Sequence, residues 1–534
     1  MRAELESDKE RKMIRNLSTY RRISAGSSAL IRRFCTAVEA EKKVSAAAAQ
    51  SGGVLSKIFC AAAVQKEGDR RLYKRLSALG SSKGLVAQTI NEYIREGKFP
   101  RKSDLDNCII ELRRYGKYHQ ALEIMEWMER RKINFAFGDY AKRLDLICKV
   151  HGVDAAENYF NGLSSSAKNN LTYGALLYCY CAEKMADKAT ALFEKMDEMN
   201  IASTSLAFNN LMTLYVKLGQ PEKVPSLVNL MKERNIRPAT FTYNIWMQSY
   251  SMLNDIEGVE RVFQEVKQDG EKVCDWTIYS NLAAAYVKAG LHEKAELALK
   301  RLEEEMEPSN RVAFSFMISL YASIGNLGEV HRIWNAMKSS LRTVTNLNYL
   351  TMLQALNKLD DIDGIKKCFE EWESTCHSYD TRIANVAISA YLRFNRVNEA
   401  EAVFLQARKR SPGPFFIAGE MLMEFYLENR QMKLALRHME AAVSSGLSGS
   451  DWRPKSDNVN KFLSFCEEER DVDSAEEFCK YLKIVNCLDH NVYKLLLQIY
   501  IAAGRTAPDM RSRAEKDGIE LEPELLNLLQ IVCP

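Results

Sequence analysis

An all-α superhelical solenoid of about 35-residue helix–turn–helix repeats is the fold class that this sequence predicts, on three observations. An aromatic residue recurs at Tyr173, Phe208, Tyr243, Tyr279, Phe314 and Tyr349, at intervals of 35, 35, 36, 35 and 35 residues. Seven residues after each stands a second large residue: Tyr180, Tyr215, Tyr250, Tyr286, Tyr321 and Leu356. Nine residues further on, several copies place a small Ala, as at Ala189, Ala295 and Ala400, followed by an aliphatic–aromatic pair as in "ATALFEKM" and "EAEAVFLQA". Spacings of three, four and seven put these residues on one stripe of a helix. Neither helix of such a hairpin covers its apolar stripe alone, so the units stack.

Composition agrees with a folded chain. Of 534 residues, 46% are hydrophobic and 27% charged, and there are only 11 Pro and 25 Gly, too few for long structureless stretches. No window approaches 18 uninterrupted apolar residues, so no membrane-spanning helix is expected. The 13 cysteines are odd in number, irregularly spaced and never arranged as C-x-x-C. They read as buried reduced thiols, not as a disulfide framework or a zinc site.

Taken in order, the chain opens on "MRAELESDKE", which holds four acids. Residues 11–38 then carry seven Lys or Arg, several hydroxylated residues and no acid, the composition of an organelle transit peptide. Residues 1–38 are therefore expected to be a mitochondrial transit peptide, with Met13 as the true or an alternative start. A chloroplast address and a retained basic arm are the alternatives. Residues 1–38 hold nine of the 74 basic and four of the 70 acidic residues, so 65 and 66 remain, a net charge of −1. A near-neutral body is no general polyanion binder, and nucleic-acid contacts would need local charge. Residues 39–67 read as a linker.

Residues 68–505 read as about twelve repeats. The first, "LYKRLSALGSSKGLVAQTINEYI", is degenerate, and the cadence continues through "DNCIIELRRYGKYHQALEIMEWM" and, later, "ANVAISAYLRFNRVNEAEAVF". Gly, Asn or Asp near each midpoint ("KLGQPEK", "KAGLHEK") supplies the turn, and Asn or Pro near each end ("NIRPAT", "MEPSN") stops the second helix. The unit from Phe416 runs 40 residues and contains the insertion "SSGLSGSDWRPKSD". The unit from His490 reads as truncated, with 506–534, including "PELLNLLQIV", as a capping segment.

A 35-residue hairpin opening on "TYN" with a mid-unit Ala resembles the pentatricopeptide repeat family, in its plain P-class-like form known from plant organelles. The tetratricopeptide family, at 34 residues, lacks its Trp-Leu-Gly-Tyr opening here. The resemblance covers roughly 68–520. It implies a right-handed superhelix whose concave groove binds single-stranded RNA, an organellar transcript or rRNA, without catalysis, cofactor, metal, membrane or small-molecule substrate. It further implies that the fifth residue of a unit, with the unit's last residue, reads one base edge. On that basis Asn244 with Asp275 and Asn460 with Asp489 match a uridine pair, and Ser280 with Asn310 an adenine pair. Asn209 is a further base reader, whereas Leu350 and Phe415 cannot hydrogen-bond a base. The second-position row reads Leu171, Leu206, Phe241, Thr277, Val312 and Leu347; its apolar members would wedge between bases, and the row fails at Arg382, Asp457 and Asn491. Two turns below the fifth position, Arg114, Lys149, Lys217, Lys288, Lys358 and Arg393 would meet phosphates, and past residue 400 the row turns acidic at Glu428 and Glu468. The C-terminal repeats thus suit organellar protein partners.

Catalytic motifs are absent. "HME" at His438–Glu440 lacks the C-x-x-C that a zinc deaminase needs, and no G-x-x-x-x-G-K-S/T occurs. Two further readings remain open: a ribosome-associated scaffold that contacts RNA backbone and proteins, and a purely protein-binding array.

Overall fold

A computed structural model of the chain describes residues 72–79, 84–270, 273–411, 415–444 and 452–533. The transit-peptide and linker readings lie outside these residues. All regular structure among them is helical. The chain forms two compact units that divide after Pro238.

In the first unit, helix 72–78 precedes Leu85–Arg95, and four further hairpins follow. Their first helices are Lys102–Arg114, Phe137–His151, Asn170–Ala182 and Ser205–Lys217; their second helices are Tyr118–Arg130, Val153–Asn161, Ala186–Glu198 and Val224–Glu233. In the second unit the first helices are Thr240–Met252, Trp276–Lys288, Arg311–Ser323, Asn346–Lys358, Thr381–Arg393, Phe416–Glu428, Ser456–Glu469 and His490–Ala502. Each is followed by its antiparallel partner, from Ile256–Gln268 through Val472–Ile484.

The turn chemistry is local. At the end of successive first helices, Gly219, Asn254, Gly290, Gly325, Asp360 and Asn395 all adopt positive φ, between 57° and 84°. That left-handed conformation ends a helix, and Gly or Asn enters it at least cost. First helices are started by side-chain caps: Asn169, Asp275, Asn310, Asp380 and Asp489 each accept N–H groups of their own first turn.

Packing follows the recurring positions. The mid-unit site is fully buried as Ala189, Val224, Val259, Ala295, Val330, Ile365, Ala400, Ala435 and Ala475, so it tolerates more bulk than the Ala pattern alone implies. Consecutive first helices also pack directly on one another, from Phe137–His151 to Ser205–Lys217 in the first unit and throughout the second. A three-helix clasp recurs beside them. A glutamate on one second helix accepts the second-anchor tyrosine of the next first helix and a basic side chain from the second helix after it. Glu260 takes Tyr286 at 3.0 Å and Lys294 at 2.8 Å; Glu401 takes Tyr426 at 2.8 Å and His438 at 2.7 Å; Glu476 takes Tyr500 at 2.8 Å and Arg513 at 2.6 Å. Glu157 likewise holds Tyr180 and Lys188.

The unit from His490 is more complete than its sequence implies. It has a seven-residue second helix, Met510–Lys516. The segment Pro523–Val532 then packs on His490–Ala502 and buries Leu525, Leu529 and Val532.

Candidate nucleic-acid interface

Each first helix repeats every turn, so its second, fifth and thirteenth residues fall near one face. Side-chain bonds between neighbouring first helices show that these rows run side by side within a unit. Asn244 Nδ2 donates to Thr277 Oγ1 at 2.8 Å, Asn281 Nδ2 donates to Asn244 Oδ1 at 2.7 Å, and Asn348 Nδ2 donates to Ser315 Oγ at 3.1 Å. Near the other end, Lys288 Nζ donates to the Ser251 carbonyl at 2.7 Å and Lys358 Nζ to Ser323 Oγ at 2.8 Å.

The second-position row is the most open part. Leu171, Leu206 and Leu347 are 47%, 54% and 49% exposed, on helices whose other large apolar residues are mostly buried. Phe241 and Val312 are half-buried. Ile417, at the same position of its repeat, is 52% exposed and belongs to the row, although sequence inspection passed over it. Its phase from Phe416 was the available signal.

The base-reading positions divide. Asn244 is half-buried and Asn460 exposed, whereas Asn209 and Ser280 are buried against neighbouring helices. The residues paired with Asn244, Ser280 and Asn460 all serve as helix caps. Asn310 Oδ1 accepts from Val312 N and Ala313 N at 3.1 Å, Asp275 Oδ1 from Thr277 N at 2.9 Å, and Asp489 Oδ1 from Val492 N at 2.9 Å. Capping consumes part of the acceptor capacity that base reading would use.

Most of the cation row already has protein partners. Arg114 pairs with Glu111 at 3.0 Å, Lys149 with Asp145 at 3.0 Å, and Arg393 with Asp360 at 2.5 Å. Lys149 also stands over the rings of Tyr118 and Tyr178. Lys288 and Arg393 reach main-chain carbonyls, of Ser251 and Asn357, at the C-terminal end of the preceding first helix, where positive charge is favoured. Lys217 is exposed and has no ion pair among the described residues. Past Arg393 the row's Glu468 pairs with Arg430 at 3.4 Å, and higher on the helix from Phe416, Glu420 accepts from Lys455 N at 2.8 Å and Glu424 pairs with Lys455 Nζ at 2.5 Å.

Among the described residues, no group of three or more His, Cys, Asp and Glu could hold a metal ion, and no helix is long and apolar enough to cross a membrane. His438 lies buried between Tyr426 and Phe404, with its Nε2 on Glu401.

Models of the PPR repeat match residues 171–201, 241–271, 277–305, 312–340 and 383–411, and a PPR repeat family model matches 203–252. The Arabidopsis thaliana pentatricopeptide repeat-containing protein At4g01990, mitochondrial, is 47% identical over 95% of this chain and 99% of its own. A second from the same plant, At1g02370, mitochondrial, is 46% identical over 87% of each chain. The Arabidopsis large ribosomal subunit protein mL101 (rPPR4) is 43% identical over 86% of this chain and 94% of its own. The crystal structure of the maize pentatricopeptide repeat protein PPR10 aligns with 87% of this chain and 70% of that one, at 17% identity and a TM-score of 0.44. The matched repeats and the near-full-length similarity to its relatives establish that the chain belongs to the pentatricopeptide repeat family.

Proposed function

We propose that this chain is an organellar RNA-binding repeat protein that holds single-stranded RNA along its first helices and acts by occupancy, in RNA processing, stability or translation. The observation that carries this reading is the exposed second-position row, Leu171, Leu206, Leu347 and Ile417. Large apolar residues left open at one register are costly in water and useful as wedges between unstacked bases, at about 1–3 kcal/mol per base. In the second unit Asn244 and Asn460 supply polar edges on the first helices that carry this row, and in the first unit Lys217 supplies a phosphate contact. The mitochondrion is the proposed compartment, since two relatives carry that location in their names; the chloroplast is the alternative address.

A second reading, a scaffold on the organelle ribosome, is favoured by two observations. One relative is by name a large ribosomal subunit protein. Most row cations are already bonded within the protein, which suits a few backbone contacts better than a continuous phosphate track. Crosslinking in the organelle followed by sequencing of the bound RNA separates the readings. One dominant short footprint on a transcript supports the first, rRNA supports the second, and background signal alone overturns both.

A further inference from the structure

We infer that Thr277, a polar residue in the second-position row, orients the base-reading amide of the preceding repeat, Asn244, and thereby sets which pyrimidine it accepts. This rests on the RNA reading above. At six second positions, Leu171, Leu206, Phe241, Val312, Leu347 and Ile417, the side chain is large and apolar. Thr277 bonds back across one repeat, its Oγ1 accepting from Asn244 Nδ2 at 2.8 Å. Asn491 also reaches back, but to the other end of the amide, donating Nδ2 to Asn460 Oδ1 at 3.3 Å, and an amide partner that can both donate and accept fixes neither orientation. Asn244 is also a fifth-position residue whose pair matches uridine.

The network around Asn244 fixes both ends of its amide. The Thr277 hydroxyl donates to Asp275 Oδ1, so its lone pairs are left for Asn244 Nδ2. Asn281 Nδ2 donates to Asn244 Oδ1 at 2.7 Å. An amide has two N–H groups and two acceptor sites, so one of each stays available. That remainder matters because of base chemistry. Uracil presents an N3–H donor beside the O4 acceptor; cytosine presents an N3 acceptor beside an N4–H donor. An asparagine amide matches either base, depending on which way its O and N point. Its terminal torsion is broad and roughly two-fold, so an unheld amide reads both. Held between Thr277 and Asn281, it reads one. Thr277 is only 2% exposed and cannot itself reach a base, so it is a positioning residue.

The test uses the full chain and a randomised single-stranded RNA pool, sequenced before and after capture. The wild type enriches uridine over cytidine at the Asn244 position; at one base per repeat, the Asn460 position lies six nucleotides away and serves as the internal reference. Thr277→Val keeps the shape and removes the hydroxyl; it lowers the uridine-over-cytidine ratio about five- to tenfold at the Asn244 position and leaves the Asn460 position as it was. Thr277→Ser restores the ratio. An unchanged ratio at the Asn244 position in Thr277→Val overturns the inference and leaves the RNA reading standing. Capture of no RNA by the wild type overturns the RNA reading, and the inference with it.

Discussion

Asn310 accepts two backbone N–H groups of its own helix, and this limits what else its side chain can do. Asn310→Ala should lower stability by about 0.5–2 kcal/mol, the usual worth of such a cap, measured as a shift in the urea midpoint. Asn310→Asp keeps the acceptor and suits the helix N-terminus, but has no N–H to offer a base. It should leave the midpoint in place and weaken any adenine preference in the RNA selection. The two variants therefore separate cap from reader, which the sequence does not: Asp275, Asn310 and Asp489 fit both roles with the same oxygen. Burial of Asn209 and Ser280 was equally illegible, because it is set by how closely neighbouring helices approach and not by the residue at the fifth position. The turns were legible, since Gly and Asn mark them. Lys184 is an exception, holding φ at 59° without the tolerance of Gly or Asn. Lys184→Asn should raise the thermal midpoint, by about 0.5–1 kcal/mol of stability.

The clasps convert charge into contact between successive hairpins. Hydrogen bonds from Lys188 and Lys294 hold the Glu157 and Glu260 carboxyls below their ordinary value. Burial pushes the Glu401 carboxyl up, but bonds from His438 and Tyr426 outweigh it and hold it low as well. A carboxyl lowered by folding stabilises the native state above its unfolded pKa. That contribution disappears as pH falls through the folded value. Urea midpoints should therefore be flat with respect to these three groups above about pH 5 and decline below it. Tyr286→Phe should reduce the decline from Glu260 and cost about 1 kcal/mol at neutral pH. The row cations are separable by the same logic. Lys217→Gln should flatten the salt dependence of RNA binding by roughly 0.7 in log–log slope with no loss of stability. Lys288→Gln should also lower the thermal midpoint, because it removes the bond to Ser251. Sequence spacing located this row correctly on the first helices, but spacing carries no information on which cations neighbouring carbonyls and carboxylates have already engaged.

Stacked hairpins contact mainly their neighbours, so stability is close to a sum of unit and interface contributions. The terminal helix Pro523–Val532 matters for that reason, since it covers the last first helix. Deleting 523–532 removes the burial of Leu525, Leu529 and Val532, on the order of 5 kcal/mol. Amide exchange should then accelerate across 490–516 while repeats before residue 400 keep their protection. The repeat period, helix pairing and turn sites were all legible from the anchors, because one 35-residue pattern repeats many times. At the end of the chain the segment "PELLNLLQIV" was read as a cap, but the second helix Met510–Lys516 was not legible, because at seven residues it departs from the pattern that identifies the other units. The clasps carry a consequence for how such a chain can change length. Each needs a glutamate, a tyrosine and a basic side chain in fixed phase, so a residue gained or lost inside a helix would break several at once. The insertion in the unit from Phe416 falls between Met432–Ser444 and Ser456–Glu469, where the second anchor is Cys466 and no tyrosine is available to lock. Lineages of this protein should accordingly grow by duplicating whole hairpins and tolerate odd-length insertions only at such unlatched joints.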